Sequence, residues 1–481
     1  MMDAARVSPR AVPGVFQLSP SRPAEPRRRR SRWRGRADAL TALAVLLAVG
    51  LLHAGTDVFG SLERRFYDQA STASDRRASD RIAVIAIDDA SIAAIGRWPW
   101  PRDVHADLVD RLSAAGAKTI AHTAFFFEPQ TDGALAPLRA LRGQIETGAA
   151  GLEDLGPDSR QSLLGFLSEA EARLDADARL TDSLKRSGRV ILPSVFELGE
   201  PRGRPDAPLP DFARRSAVQD DSGFGLPAMR TQQPLPALGS AAAGVGHLNQ
   251  WLDDDGAVRR EPLLVQFDGH AVPSMALTIA AHSLNLSAAD ISLRPGNGLT
   301  LGPALIPTDD VARVLPQFYA DRNGASAFTT DAFHDVLAGR VPADKFRDKI
   351  VIVGATAAGV GTLFNTPVSP SLSPAAILAH ITSSLLNGHF VAQPVWSGAA
   401  VLAGMLLIVA YLAFGLPRLS AAAGAAVTSA ILLGLLGAEY TLLAQASTWL
   451  PLVLPAALLL IGHLALTTRR FLITEAGKRR S

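Results

Sequence analysis

The residues whose types and spacing could do chemistry begin with Asp88 and Asp89, adjacent carboxylates at the end of the apolar run Arg81–Ile87. Sheets of the α/β class bind ligands at the carboxyl ends of their strands. Two acids at such a position could therefore meet a ligand, cap the helix that follows, or pair with Arg102. A glycine-rich stretch, Gly354 to Gly361, also follows an apolar run and could cradle an anion. It lacks the G-x-G-x-x-G order, and a close-packed turn is the favoured reading. The run Asp253-Asp254-Asp255-Gly256 lacks the alternating acids and distal glutamate of a calcium loop and is read as a turn between two strands. His105, His122 and His380 have no metal-ligand spacing and are read as packing or hydrogen-bonding residues. Cysteine is absent, which removes disulfides and thiolate chemistry. The P-loop, the G-x-S-x-G elbow and H-E-x-x-H are missing too, so no catalytic set, no metal set and no cofactor is expected.

The elements that must position these residues follow from periodicity. Ile and Val enrichment makes residues 81–87 a buried strand, and the prolines of Arg97-Trp98-Pro99-Trp100-Pro101-Arg102 impose a loop. Asp103 begins a helix with Val104, Leu108, Val109 and Leu112 on one face, and a second strand is expected over Thr119–Phe127, ending at Glu128-Pro129. Strand, helix and strand in so short a stretch form a βαβ unit with a parallel pair. Residues 132–188 read as a helical hairpin broken near Gly156-Pro157, and residues 200–236 as loop. Strands are also expected at Val245–Leu252 and Ala257–Val265, on either side of the Asp-Gly turn, and at Lys349–Val353, with a helix at Ser274–Ser283. The fold class is α/β, a mixed and partly parallel sheet, joined to an all-α membrane part of four helices.

That membrane part rests on four long stretches nearly free of charge, 39–55, 395–414, 421–443 and 450–466, each close to the about 20 apolar residues a bilayer requires. Net charge, +2 overall, is informative once divided. Residues 1–38 hold ten arginines against three acids, a net of +7, the tail 467–481 has a net of +4, and the remainder sums to −9. Basic flanks stay in the cytoplasm. Four crossings therefore put the disordered basic segment 1–38 and the tail 467–481 inside and residues 56–394 in the periplasm of an inner membrane. The long basic lead favours a retained first span over a cleaved signal peptide. Glu439, near the outer end of its span, is read as an interfacial acid reaching water. The charge pattern indicates membrane lipid and no nucleic acid.

The stretches Ile82 to Ala106, with its W-P-W-P-R block, Leu108 to Ala117, Phe126 to Pro129, Asp253 to Arg260, and Lys349 to Ala357 with Thr366-Pro367 resemble the type-two CHASE sensor. This is the cyclase- and histidine-kinase-associated extracellular sensory domain of bacteria, and the resemblance extends over residues 60–466, including the three later spans. It implies ligand contacts at Asp88, Asp89, Trp98, Arg102 and Glu128, dimeric working, and output through a cytoplasmic cyclase, diguanylate cyclase or kinase. Two acids usual in the family stand here as Thr123 and Thr362, and no output domain follows the fourth span. The expectation is a non-enzymatic receptor that detects a small ligand or envelope partner, with output by a separate protein or lost by truncation. The alternative is a non-sensing structural or assembly protein of the cell envelope.

Overall fold

The computed structural model describes residues 27–130, 133–148, 156–201, 203, 205, 207–220, 222–357 and 359–478, with backbone alone at 27–35 and 477–478. The basic segment expected to be disordered thus lies outside the described residues up to 26; its remainder opens the first helix, α1 (Arg27–Gly55). After α2 (Val58–Thr72) the chain enters β1 (Ile82–Ile87), α3 (Asp89–Ile95) and α4 (Arg102–Ala114). Then β2 (Thr119–His122) is followed by α5 (Leu135–Thr147), α6 (Pro157–Leu174) and α7 (Ala176–Ser187). The region read as a helical hairpin therefore holds three helices. The second strand stops at His122 rather than Phe127: the Thr123 N–H still reaches the Val353 carbonyl at 2.9 Å, but the Ala124 N–H donates to Nδ1 of His122 and the chain leaves the sheet.

Four further strands complete the parallel part: β3 (Val190–Leu198), β4 (Gly244–His247), β5 (Thr329–Ala332) and β6 (Ile350–Ala355). Their order is β5-β1-β6-β2-β3-β4, every neighbouring pair parallel. The far half of β3 pairs antiparallel with Leu226–Gln232, which makes the sheet mixed. Side chains alternate across it, as strand geometry requires. Ile82, Val84, Ile350 and Ile352 lie against α8 (Met275–Ser283) and α9 (Pro374–Asn387). Ala83, Ile85, Val351 and Val353 lie against Leu108 and Leu112 of α4 and Leu180 and Leu184 of α7. Burial on both faces explains why these strands are continuous apolar runs.

The Asp253–Gly256 turn forms, with the Asp253 N–H donating to the Ala257 carbonyl at 2.9 Å, but it does not join two paired strands. Instead β4 pairs with β3, and Glu261–Pro262 pairs with Arg313–Val314. Arg259, pulled into an ion-pair cluster, decides this part of the chain rather than hairpin pairing.

Among the described residues, four helices are long and apolar enough to cross a membrane: the stretch Arg36–Gly55 of α1, the stretch Ser397–Arg418 that opens with α10 (Ser397–Ala410), α11 (Ala421–Ala446), and α12 (Val453–Lys478) over Val453–Ala476. The chain divides into two compact units, one of Met1–Leu52 with Ala403–Leu432 and Ala457–Ser481, the other of His53–Leu402 with Leu433–Ala456. Within the first, Asp38 is bonded by Arg469 at 2.8 Å and Arg470 at 3.1 Å, and Tyr411, Thr428 and His463 form a hydrogen-bonded chain. Within the second, Glu439 is fully buried and accepts the Leu452 N–H at 3.1 Å. It is not the water-reaching acid expected from its place near the helix end, because the 447–452 loop folds over it.

Candidate functional site

The connections around β1, β6 and β2 run to opposite faces. From β1 the chain passes to α4 on one face, whereas β6, the strand between β1 and β2, passes to α9 on the other. Such a switch point opens a crevice beyond the carboxyl ends of the strands. A cavity of about 460 Å³ lies there, lined by Ile87 after β1, Thr123 and Ala124 after β2, and Ala355, Gly361 and Thr362 after β6. A side chain at Gly354 would come within 2.4 Å of the Thr123 hydroxyl, so glycine lets these strand ends close up. Both positions that depart from the resemblance, Thr123 and Thr362, line this crevice.

One wall is the W-P-W-P-R block. Trp98 and Trp100 meet edge to face at 5.1 Å, and the Trp100 indole N–H is held by the Gly96 carbonyl at 2.8 Å. Arg102 opens α4 with its guanidinium 4.6 Å above the Phe126 ring. Its Nη2 donates to the Glu128 carbonyl at 3.0 Å, and its Nε lies 3.3 Å from Asp177 of α7. The floor includes His105, whose Nδ1 is 3.0 Å from Nε2 of His122. Burial, reinforced by the His122 ring and the Arg102 charge, pushes His105 well below its ordinary value. Burial first, then Arg102, brings His122 down to about 3. Both rings are neutral at physiological pH.

Of the five residues taken as ligand candidates, Trp98 and Arg102 line the cavity. Asp88 caps α3, accepting the Ser91 N–H at 2.8 Å, and Asp89 is an exposed residue in the first turn of that helix. Neither acid pairs with Arg102, which takes Asp177 instead. Glu128 contributes its carbonyl to Arg102 while its side chain is exposed. The His105–His122 contact and the Arg102–Asp177 pair were missed because nothing local marks them; their partners lie 17 and 75 positions apart.

A second cluster, in the same unit, gathers on α2. Arg259, 2% exposed, grips both oxygens of Asp68 at 2.7 Å and also reaches Asp253 at 3.1 Å and Asp255 at 2.8 Å. Arg64 lies 3.2 Å from Asp255. One turn away, Glu63 accepts the Trp449 indole N–H at 2.9 Å and the Val453 N–H at 3.2 Å, and Tyr67 packs on Trp449 at 4.8 Å. The D-D-D-G-A-V-R-R stretch is thus an ionic clamp on α2 rather than a hairpin signature.

Three layers and a switch-point crevice define a mixed α/β domain, in a chain that also holds helices of membrane-spanning length among its described residues. Residues 41–417 match the family described as the CHASE2 domain. The match covers most of the chain, so the protein belongs to the CHASE2 domain family, whose members are extracellular sensor domains and not catalytic ones. No curated protein matches the chain, and no solved structure does.

Proposed function

We propose that the chain is a signal-sensing receptor whose crevice takes up a small extracytoplasmic ligand and whose α2 passes the change to the membrane helices. It sits in an inner membrane with both termini cytoplasmic and residues 56–394 periplasmic, and its output passes to a separate cytoplasmic cyclase or kinase. The observation carrying this reading is the crevice at the switch point of the sheet, where open α/β sheets receive ligands. Ligand binding moves a two-state arrangement only when the two states bind it differently. α2 has the contacts to report such a difference, since the Arg259 cluster holds one side of it and Trp449 and Val453 the other.

A reporter cyclase fused after Arg470 tests the reading, with soluble extracts and small-molecule sets supplied from outside. A dose-dependent output is expected. A flat output in every condition from a correctly inserted chain, together with a stoichiometric crosslinked partner, would replace it with a scaffold role.

A further inference from the structure

The chemistry of the crevice narrows what it accepts, an argument that rests on reading it as the ligand site. Its lining includes five aromatic rings, Trp98, Trp100, Phe125, Phe126 and Phe364. A cavity with several rings in its lining favours a flat ring as occupant. Aromatic boxes also capture quaternary ammonium groups, so charge must decide between the two. Among the described residues no aspartate or glutamate lines the crevice, whereas Arg102 does. With Nε at Asp177 and Nη2 at the Glu128 carbonyl, Nη1 has no hydrogen-bond acceptor among the described residues.

A second donor follows from the histidine pair. The Ala124 N–H lies 3.2 Å from Nδ1 of His122 and can only donate, so that nitrogen carries no proton. The neutral His122 ring is therefore protonated on Nε2, which donates to Nδ1 of His105 at 3.0 Å. His105 must then carry its own proton on Nε2, the edge left over to face the rings around it. The protein has thus fixed a neutral N–H donor beside a guanidinium, in a site with no opposing acid. An acceptor is present as well, since Oε1 of Gln250, another lining residue, is buried without a partner among the described residues.

From these groups we infer that the crevice binds a small aromatic carboxylate, its ring against the accessible faces of Trp98 and Phe125, its carboxylate at Arg102 and His105 Nε2–H. A ring N–H or hydroxyl on the ligand would meet Gln250.

The test is calorimetric titration of the full chain in lipid nanodiscs with four matched probes: indole-3-carboxylate, indole, tryptamine and hexanoate. Indole-3-carboxylate is expected to bind about tenfold or more tighter than indole, as charge-assisted hydrogen bonds imply, with tryptamine weakest. Arg102→Gln should bring the acid to within about threefold of indole, and Arg102→Lys, which keeps the charge near Asp177, should retain part of the preference. Tryptamine or hexanoate binding as tightly as the aromatic acid, or an acid preference that survives Arg102→Gln, overturns the class but leaves the crevice reading in place. Silence from all four probes also overturns the class, and the crevice then depends on the reporter alone. Undiminished acid binding by Gly361→Trp, which fills the crevice, overturns class and crevice together.

Discussion

The crevice and the α2 clamp lie in the same compact unit and are both built around an arginine, but they satisfy it differently. Arg259 is almost fully buried and surrounded by the carboxylates of Asp68, Asp253 and Asp255, which use its donors completely. Arg102 has one carboxylate and one carbonyl, and lines an open cavity among rings. A saturated guanidinium fixes geometry, whereas a partly satisfied one beside a cavity can still accept a partner. The difference assigns stability to one region and selectivity to the other, and substitutions can pull those roles apart.

The largest expected effect lies at the clamp. Arg259→Met leaves three carboxylates without their shared cation and should cost about 3–5 kcal/mol, the usual penalty for breaking a buried pair from one side. Denaturant unfolding of the full chain in nanodiscs would measure it, and a loss below about 1 kcal/mol would mean that the clamp is not structural.

Acidification should come next. Burial lowers His122, His247 and His380 from 6.5 to about 3. Below about pH 6.5 the unfolded chain takes up protons that the folded rings refuse. Each ring's share of stability is therefore intact above that pH and falls by about 1.4 kcal/mol per unit as pH drops towards 3. Glu261 acts in the opposite sense: burial raises its carboxyl well above 4.5, so its share is intact below that value and is lost as pH rises. These three rings, with His105 shifted in the same direction, outweigh the one carboxyl, so the net change is a loss on acidification from pH 6.5 to 4.5. Unfolding at both pH values measures it, and His247→Gln should reduce the slope by one ring's share.

At the crevice the effects on stability shrink while those on ligand response grow. Asp88→Ala removes a helix cap and should cost about 1 kcal/mol without altering the reporter response. A lost response at unchanged stability would instead place Asp88 at the ligand. Trp98→Ala, at a partly exposed position, should change stability by no more than about 1 kcal/mol while lowering the ligand response at least tenfold.

The contrast also separates what was legible in the sequence from what was not. Ile82–Ile87 and Ile350–Ala355 were visible as apolar runs because both sheet faces are covered, and the Val104, Leu108 and Leu112 stripe of α4 was visible because one helix face is buried. The W-P-W-P-R block identified a wall of the crevice through the identity of its residues. The floor was not legible, because the His105–His122 hydrogen bond depends on two elements being packed together. Nor did the acids declare their partners. Asp88 caps its own helix, and Arg102 pairs with Asp177 on α7. The D-D-D-G turn misled for a related reason: its sequence reads as a local hairpin, but its acids serve the distant α2 through Arg259. Distance from a helix end likewise failed for Glu439, since a loop rather than solvent covers it.

The central claim, that occupation of the crevice drives the response, is tested most directly by the fused reporter in chains carrying Gly361→Trp. A side chain at that position meets only Ala355, at 3.5 Å, so the backbone accepts it while the indole fills the cavity. The predicted result is a dose-dependent output from the unsubstituted chain and none from Gly361→Trp, at equal insertion and equal melting temperature. An output that persists in the filled chain would contradict the account.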